Sequence, residues 1–387
     1  MDWKYFDFVP DRTGTDCEKW DARESVFHKA DVIPLWVADM DLPCAEEIVQ
    51  AMTDRARHPI YGYTEENPRD KLAEVDWLYR RFHLHVEPEW ILFSPSVVDS
   101  MLFCLRALTQ PEDLIVIQTP VYGPFRETVL RTGRKLAENP LLETPQGWKM
   151  DLQGLEQIFR AGAKMLFLCS PHNPVGRVWT REELSALNDL TERYGVTVVS
   201  DEIHASFTFD GRKNFPFLRL SQRAIMLTSA TKAFNLAGLR HSSMLVPDAR
   251  LREKLLCETH SVNADRPNLF GALAQRTAYD KGDAWLDACV GYIQHNRDIA
   301  EKFFSERVPR IQFHPLEGTY LMWLDLRGIP LSHEALFRRL VEVGNVGLND
   351  GLFFGEAGRK HFRLNLAIQT EILLRGLEGI ERAINTL

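Results

Sequence analysis

Short apolar runs recur through the middle of the chain, separated by segments whose apolar residues fall three and four positions apart. The runs are 114–118 (LIVIQ), 165–169 (MLFLC), 196–200 (VTVVS) and 224–228 (AIMLT). Each is continuous rather than alternating, which predicts strands covered on both faces. Between the second and third, Thr180 and Glu183 have capping-box spacing, and Leu184, Leu187, Leu190 and Tyr194 make one apolar stripe, predicting a helix. Strands alternating with helices imply a mostly parallel α/β sheet. From about Trp285 the pattern changes. A long helical stretch (285–304) precedes strand-like segments at 311–315 (IQFHP), 319–326 and 361–368, then a terminal helix, reading as a smaller α+β domain. We expect a large domain over 47–277, a small domain over 278–387, and an N-terminal segment, 1–46, packing on the small one.

Charge and cysteine usage narrow the class. The net charge of −8 is spread along the 387 residues, leaving no basic face for nucleic acid. Six scattered cysteines form no CxxC pair and no zinc spacing, so neither a disulfide framework nor a metal site is expected. The N-terminus lacks a basic start followed by an apolar run, and no stretch approaches a membrane span in length. The expectation is a cytoplasmic protein with a small-molecule partner.

The polar segments after the four runs carry the chemistry. LIVIQ leads into TPVYGP, MLFLC into SPHNPVG, VTVVS into DEIH, and AIMLT into SATK. In an open parallel sheet, ligands bind at that carboxyl edge. SATKAFNLAGLR sets Ser229 before Lys232 and Arg240 after it, a lysine able to form an imine beside two donors suited to a phosphate. By itself S-x-x-K would equally suit a hydrolase. Asp201 and Asn173 end the two preceding strands, and the helix starting near Ser96 offers its first-turn amides at Val97 and Val98 as an anion site.

This ordered set resembles the aspartate-aminotransferase superfamily, the fold type I enzymes that depend on pyridoxal 5'-phosphate (PLP). The resemblance implies that Lys232 carries PLP as a Schiff base, Asp201 pairs with the pyridine nitrogen, and Asn173 bonds the phenolic oxygen. It gives Tyr122 a place stacked on the ring. Ser229, Arg240, Val97 and Val98 take the phosphate, joined by Tyr61 from a partner subunit, which implies a homodimer with shared sites. Arg363, in FRLNLA, clamps the substrate carboxylate, with the backbone around Ala38 in the same pocket.

A finer resemblance, carried by PLWVADMDLP, YGYTE, SPHNPVGRVW, SDEIH, EGTYLMWLDLRG and GLNDGLFFG, is to the MalY/PatB-type cystathionine β-lyases. His204 of DEIH is diagnostic, because the aspartate branch usually has tyrosine there, and the resemblance implies that it joins the cofactor-binding residues. Lys232, Asp201 and Tyr122 are then the catalytic set, and the implied reaction is α,β-elimination of a cysteine thioether to pyruvate, ammonia and a thiol. An aminotransferase of the same fold, or a lyase with a second, regulatory role, are the alternatives. Ser96 and Asp99 replace the family's usual glycine and proline, IQT follows FRLNLA, and AFN replaces TFN.

Overall fold

The computed structural model describes residues 3–386. Its centre is a seven-stranded sheet in the order Ile91–Ser94, Ser242–Leu245, Ile225–Thr228, Thr197–Asp201, Met165–Cys169, Leu114–Ile117, Lys135–Glu138. Only Ser242–Leu245 runs against its neighbours. Met165–Cys169 and Ile225–Thr228 are buried at every position, as their unbroken apolar runs require of strands covered on both sides. The helix Arg181–Tyr194 starts with the reciprocal Thr180–Glu183 capping box and buries Leu184, Leu187 and Leu190. Gly195 ends it at φ +66°, a left-handed turn that costs a residue with a Cβ more than it costs glycine.

The second sheet has the order Ile33–Leu35, Val346–Asp350, His361–Asn365, Leu321–Asp325. Its first strand comes from the N-terminal segment and runs parallel to Val346–Asp350, while the remaining pairs are antiparallel. The helix Asp283–Arg307 buries Trp285, Leu286, Ile293 and Phe304 in the core shared by these elements. The predicted strand at 311–315 does not form. Prolines at 309 and 315 bracket it, and only Gln312 exchanges hydrogen bonds with Asp325, at 2.9 and 2.7 Å.

Between the sheets, residues 36–42 form a strap anchored from both sides. Near it, Lys19 is fully buried with Nζ 2.6 Å from Asp41, and Arg12 reaches Asp39 and Asp41 at 2.6 and 2.5 Å. Breaking a buried pair of this kind costs about 3–5 kcal/mol, so the N-terminal segment is tied to the strap rather than laid over it. Among the described residues no helix is long and apolar enough to cross a membrane, and no acidic, histidine and cysteine group could hold a metal ion.

Candidate active site

The carboxyl ends of the central strands converge on one cavity of about 780 Å³, measured to its open mouth. Asp201 is the last residue of its strand, and Asn173 lies in the loop after Met165–Cys169. Lys232 sits on the single-turn helix Ala230–Ala233, which Ser229 caps, and Tyr122 precedes the helix Gly123–Arg131. All four of Asp201, Asn173, Lys232 and Tyr122 line the cavity, with Ala38, Val97, Val98, His204 and Arg240.

Lys232 Nζ donates to the Ala38 carbonyl at 2.7 Å, and Tyr320 Oη donates to the same oxygen at 2.9 Å. Ala38 therefore serves the site through its backbone, as a seat for the lysine amine. The Trp36 carbonyl is the strap atom that meets Arg363. Asn365 fixes the strap by donating to the Val37 and Asp39 carbonyls, both at 2.6 Å. From the other side, Asn235 accepts from the Met40 N–H at 3.0 Å and donates to its carbonyl at 3.0 Å.

Burial pulls the Lys232 amine down to about 8, with Arg363 adding to the effect and Asp39 and Asp201 opposing it. Burial pushes the Asp201 carboxyl up to about 6, although Oδ1 accepts from the Ile203 N–H at 3.1 Å and Lys232 lies near. The two groups are thus poised close to neutrality, where either can change its proton state. Burial first, then Lys232 and Arg363, hold His204 well below the usual imidazole range. Its ring is neutral, and its buried Nδ1 has no protein partner.

Arg363, on the strand His361–Asn365, stands behind Asn173. Its Nη1 donates to Asn173 Oδ1 and its Nη2 to the Trp36 carbonyl, each at 3.0 Å, and the guanidinium lies 4.8 Å over the Phe354 ring. Burial lowers it to about 10, so it is charged at neutral pH, and its buried Nε is left without a partner. Three of the candidates stand off the cavity wall: Arg363, Ser229 and Tyr61. The Ser229 hydroxyl donates to the His241 carbonyl at 2.6 Å and accepts from the Thr231 N–H at 3.0 Å. Tyr61 is exposed and lines a separate shallow cleft with Arg266 and Phe270.

Residues 30–380 match the family model for aminotransferase class I and II. The chain belongs to this family. Within it, the chain is 38% identical to cystathionine beta-lyase PatB of Bacillus subtilis, over 98% of this chain and 100% of that one. It is 30% identical to the protein MalY of Escherichia coli, over 99% of this chain and 100% of the relative. The crystal structure of cystalysin from Treponema denticola, which contains pyridoxal 5'-phosphate, superposes with a TM-score of 0.95 at 29% identity, covering 100% of both chains. The MalY/PatB branch is thus the chain's place in the family, and the fold is that of type I PLP enzymes.

Sequence reasoning missed Tyr320, Thr231 and His241. Thr231 and His241 line the cavity, and Tyr320 shares the lysine's carbonyl. EGTYL offered Tyr320 as a buried strand aromatic with no sign that its hydroxyl would reach residue 38. The donor set fits a flat, basic, phosphorylated aldehyde. There is an amine that loses its proton easily, a buried carboxyl open to a ring nitrogen, and an unpartnered imidazole. There is also a helix start beside an arginine for an anionic group.

Proposed function

We propose that this protein is a PLP-dependent carbon–sulfur β-lyase that converts L-cystathionine or a related cysteine S-conjugate to pyruvate, ammonia and a thiol. The single observation that carries the reading is the convergence of Lys232, Asp201, Asn173 and His204 on one cavity, with Arg363 charged directly behind it. Relatives and neighbours named cystathionine beta-lyase and PLP-bound C-S lyase support the same reaction. When bound, PLP supplies the electron sink that lets a substrate Cα–H bond break and a β-thiolate depart.

The chain's own residues supply the rest. Lys232 is the attachment point and, once its amine is free, the base that takes the Cα proton and can deliver it to the departing sulfur. Asp201, as a carboxylate, would hold a proton on the cofactor's ring nitrogen. Arg363 binds the substrate carboxylate through the donor capacity that Asn173 and Trp36 leave open, while Asn173 and Tyr122 orient the ring. His204 contributes a neutral contact to the cofactor where a charged imidazolium would oppose Arg363. Val97, Val98 and Arg240 form the phosphate end, with Ser229 just off the cavity wall, where its hydroxyl holds the His241 carbonyl. Tyr61 completes the phosphate end from a second copy of the chain, so the working unit is a homodimer. The six free cysteines support a reducing setting, the cytoplasm.

The test is a lactate dehydrogenase-coupled assay for pyruvate run beside a thiol assay, with and without a 2-oxo acid. Equimolar pyruvate and thiol without oxo acid is the expected result. Turnover that needs an oxo-acid acceptor and releases no thiol would identify an aminotransferase instead.

A further inference from the structure

The phosphate end of the cavity carries a carboxylate that anion binding does not call for. The helix Val97–Leu108 opens at Ser96, whose hydroxyl accepts from the Asp99 N–H at 3.1 Å and donates to Asp99 Oδ2 at 2.7 Å. The same Oδ2 accepts from Arg240 Nη2 at 3.0 Å. Among the described residues, this is the one ion pair that Arg240 makes. Ser96, Val97, Val98 and Arg240 all line the cavity, so the pair sits at its edge rather than on a remote surface.

Two anions therefore compete for Arg240 and for the positive end of the helix. The helix start contributes roughly half a positive charge and Arg240 one more. A phosphate monoester brings about −1.5 to −2 at neutral pH, and Asp99 adds a further negative charge beside it. The positive side is matched by the phosphate alone, and Asp99 leaves the sum negative. Neither partner is locked by burial, since the side chains are 30% and 64% exposed, and Arg240 is free to turn from carboxylate to phosphate.

We propose that Asp99 is a built-in competitor for the phosphate subsite: it occupies Arg240 and the Ser96 hydroxyl when the subsite is free, and its charge beside the helix start loosens the hold on a bound phosphate group. The inference rests on the PLP reading above and adds that cofactor retention is set by this carboxylate. Phosphate-free ligands of the same cavity, such as pyridoxal, do not feel it. Because both side chains reach solvent, screening holds the effect to about tenfold in affinity.

The experiment is a pair of titrations of cofactor-free protein, one with PLP and one with pyridoxal, followed by visible absorbance at fixed pH and ionic strength. Asp99→Asn keeps the Ser96 contact and removes the charge, and Asp99→Ser serves as a second variant should the first fold poorly. Both should bind PLP about tenfold more tightly than the wild type and bind pyridoxal unchanged. Inorganic phosphate should also bind the cofactor-free variants more tightly than it binds the cofactor-free wild type. Unchanged or weaker PLP binding in both variants would overturn the inference, the weaker case meaning that Asp99 holds Arg240 in place for the phosphate. Equal tightening of PLP and pyridoxal would overturn it too, because the change would then lie in the cavity as a whole. Wild-type protein that binds neither compound would sink the cofactor reading itself, whereas wild type that binds PLP no less tightly than the variants sinks only the role of Asp99.

Discussion

Cofactor-free protein offered a small aldehyde without ionisable groups should capture it on Lys232, with a rate that rises with pH and levels off above about 8. Only the neutral amine attacks, and burial, reinforced by Arg363, lowers this amine from 10.5 to about 8. The sign follows directly. Below the midpoint the amine is mostly protonated, so the rate falls about tenfold per pH unit, and above it the neutral form is already complete. At pH 7 about one-tenth of Lys232 is neutral, against about 0.03% of a solvated lysine, an advantage of roughly 300-fold in reactive form. Intrinsic nucleophilicity falls with basicity, so the midpoint discriminates better than the absolute rate. The assay is quenching with borohydride at timed intervals and peptide mass mapping of the label. Arg363→Met removes the second cause of the shift and should move the midpoint upward. A rate that keeps climbing tenfold per unit well past pH 9, or label spread over the surface lysines, would refute the argument.

Arg363→Ala should lower kcat/KM by about 3–5 kcal/mol, a hundred- to several-thousand-fold, with cofactor occupancy nearly unchanged. Arg363→Lys should rescue poorly because it lacks the guanidinium fork, and near-normal kcat/KM in Arg363→Ala would place the carboxylate elsewhere. If Tyr61 acts across a twofold interface, mixing Tyr61→Phe with Lys232→Ala subunits should regenerate some sites with both residues intact. A protein that is monomeric at micromolar concentration yet fully active would remove that role.

Much of this architecture is legible in the residues alone because the signals are local. The runs around 165–169 and 224–228 are apolar without alternation, and the Thr180–Glu183 box marks its helix, since caps and periodicity act within a few residues. The same locality fails at IQFHP, where two prolines outweigh a strand-like pattern. It fails again wherever a contact runs through the backbone. Ala38 matters by its carbonyl, which any residue would have supplied, so its side chain gives no hint that Lys232 and Tyr320 meet there. The Asp99–Arg240 pair joins residues 141 apart, and neither the reading of Arg240 as a phosphate donor nor that of Asp99 as a replaced proline signals that they meet.

The strap over the cavity also orders events in time. The Trp36 carbonyl is reached by Arg363, 327 residues later in the chain, and the Val37 and Asp39 carbonyls by Asn365. The Asp41 N–H waits likewise for the Ala367 carbonyl. During synthesis the parallel strands between 165 and 228 can pair while the last hundred residues are still unmade, but the strap's anchors from the second sheet cannot. Closing so long a loop is slow and entropically unfavourable compared with pairing neighbouring strands. A nascent chain stopped short of residue 361 lacks the Arg363 and Asn365 side chains that hold the strap whose Ala38 carbonyl seats Lys232. The complete seat of Lys232 thus depends on the chain's final stretch.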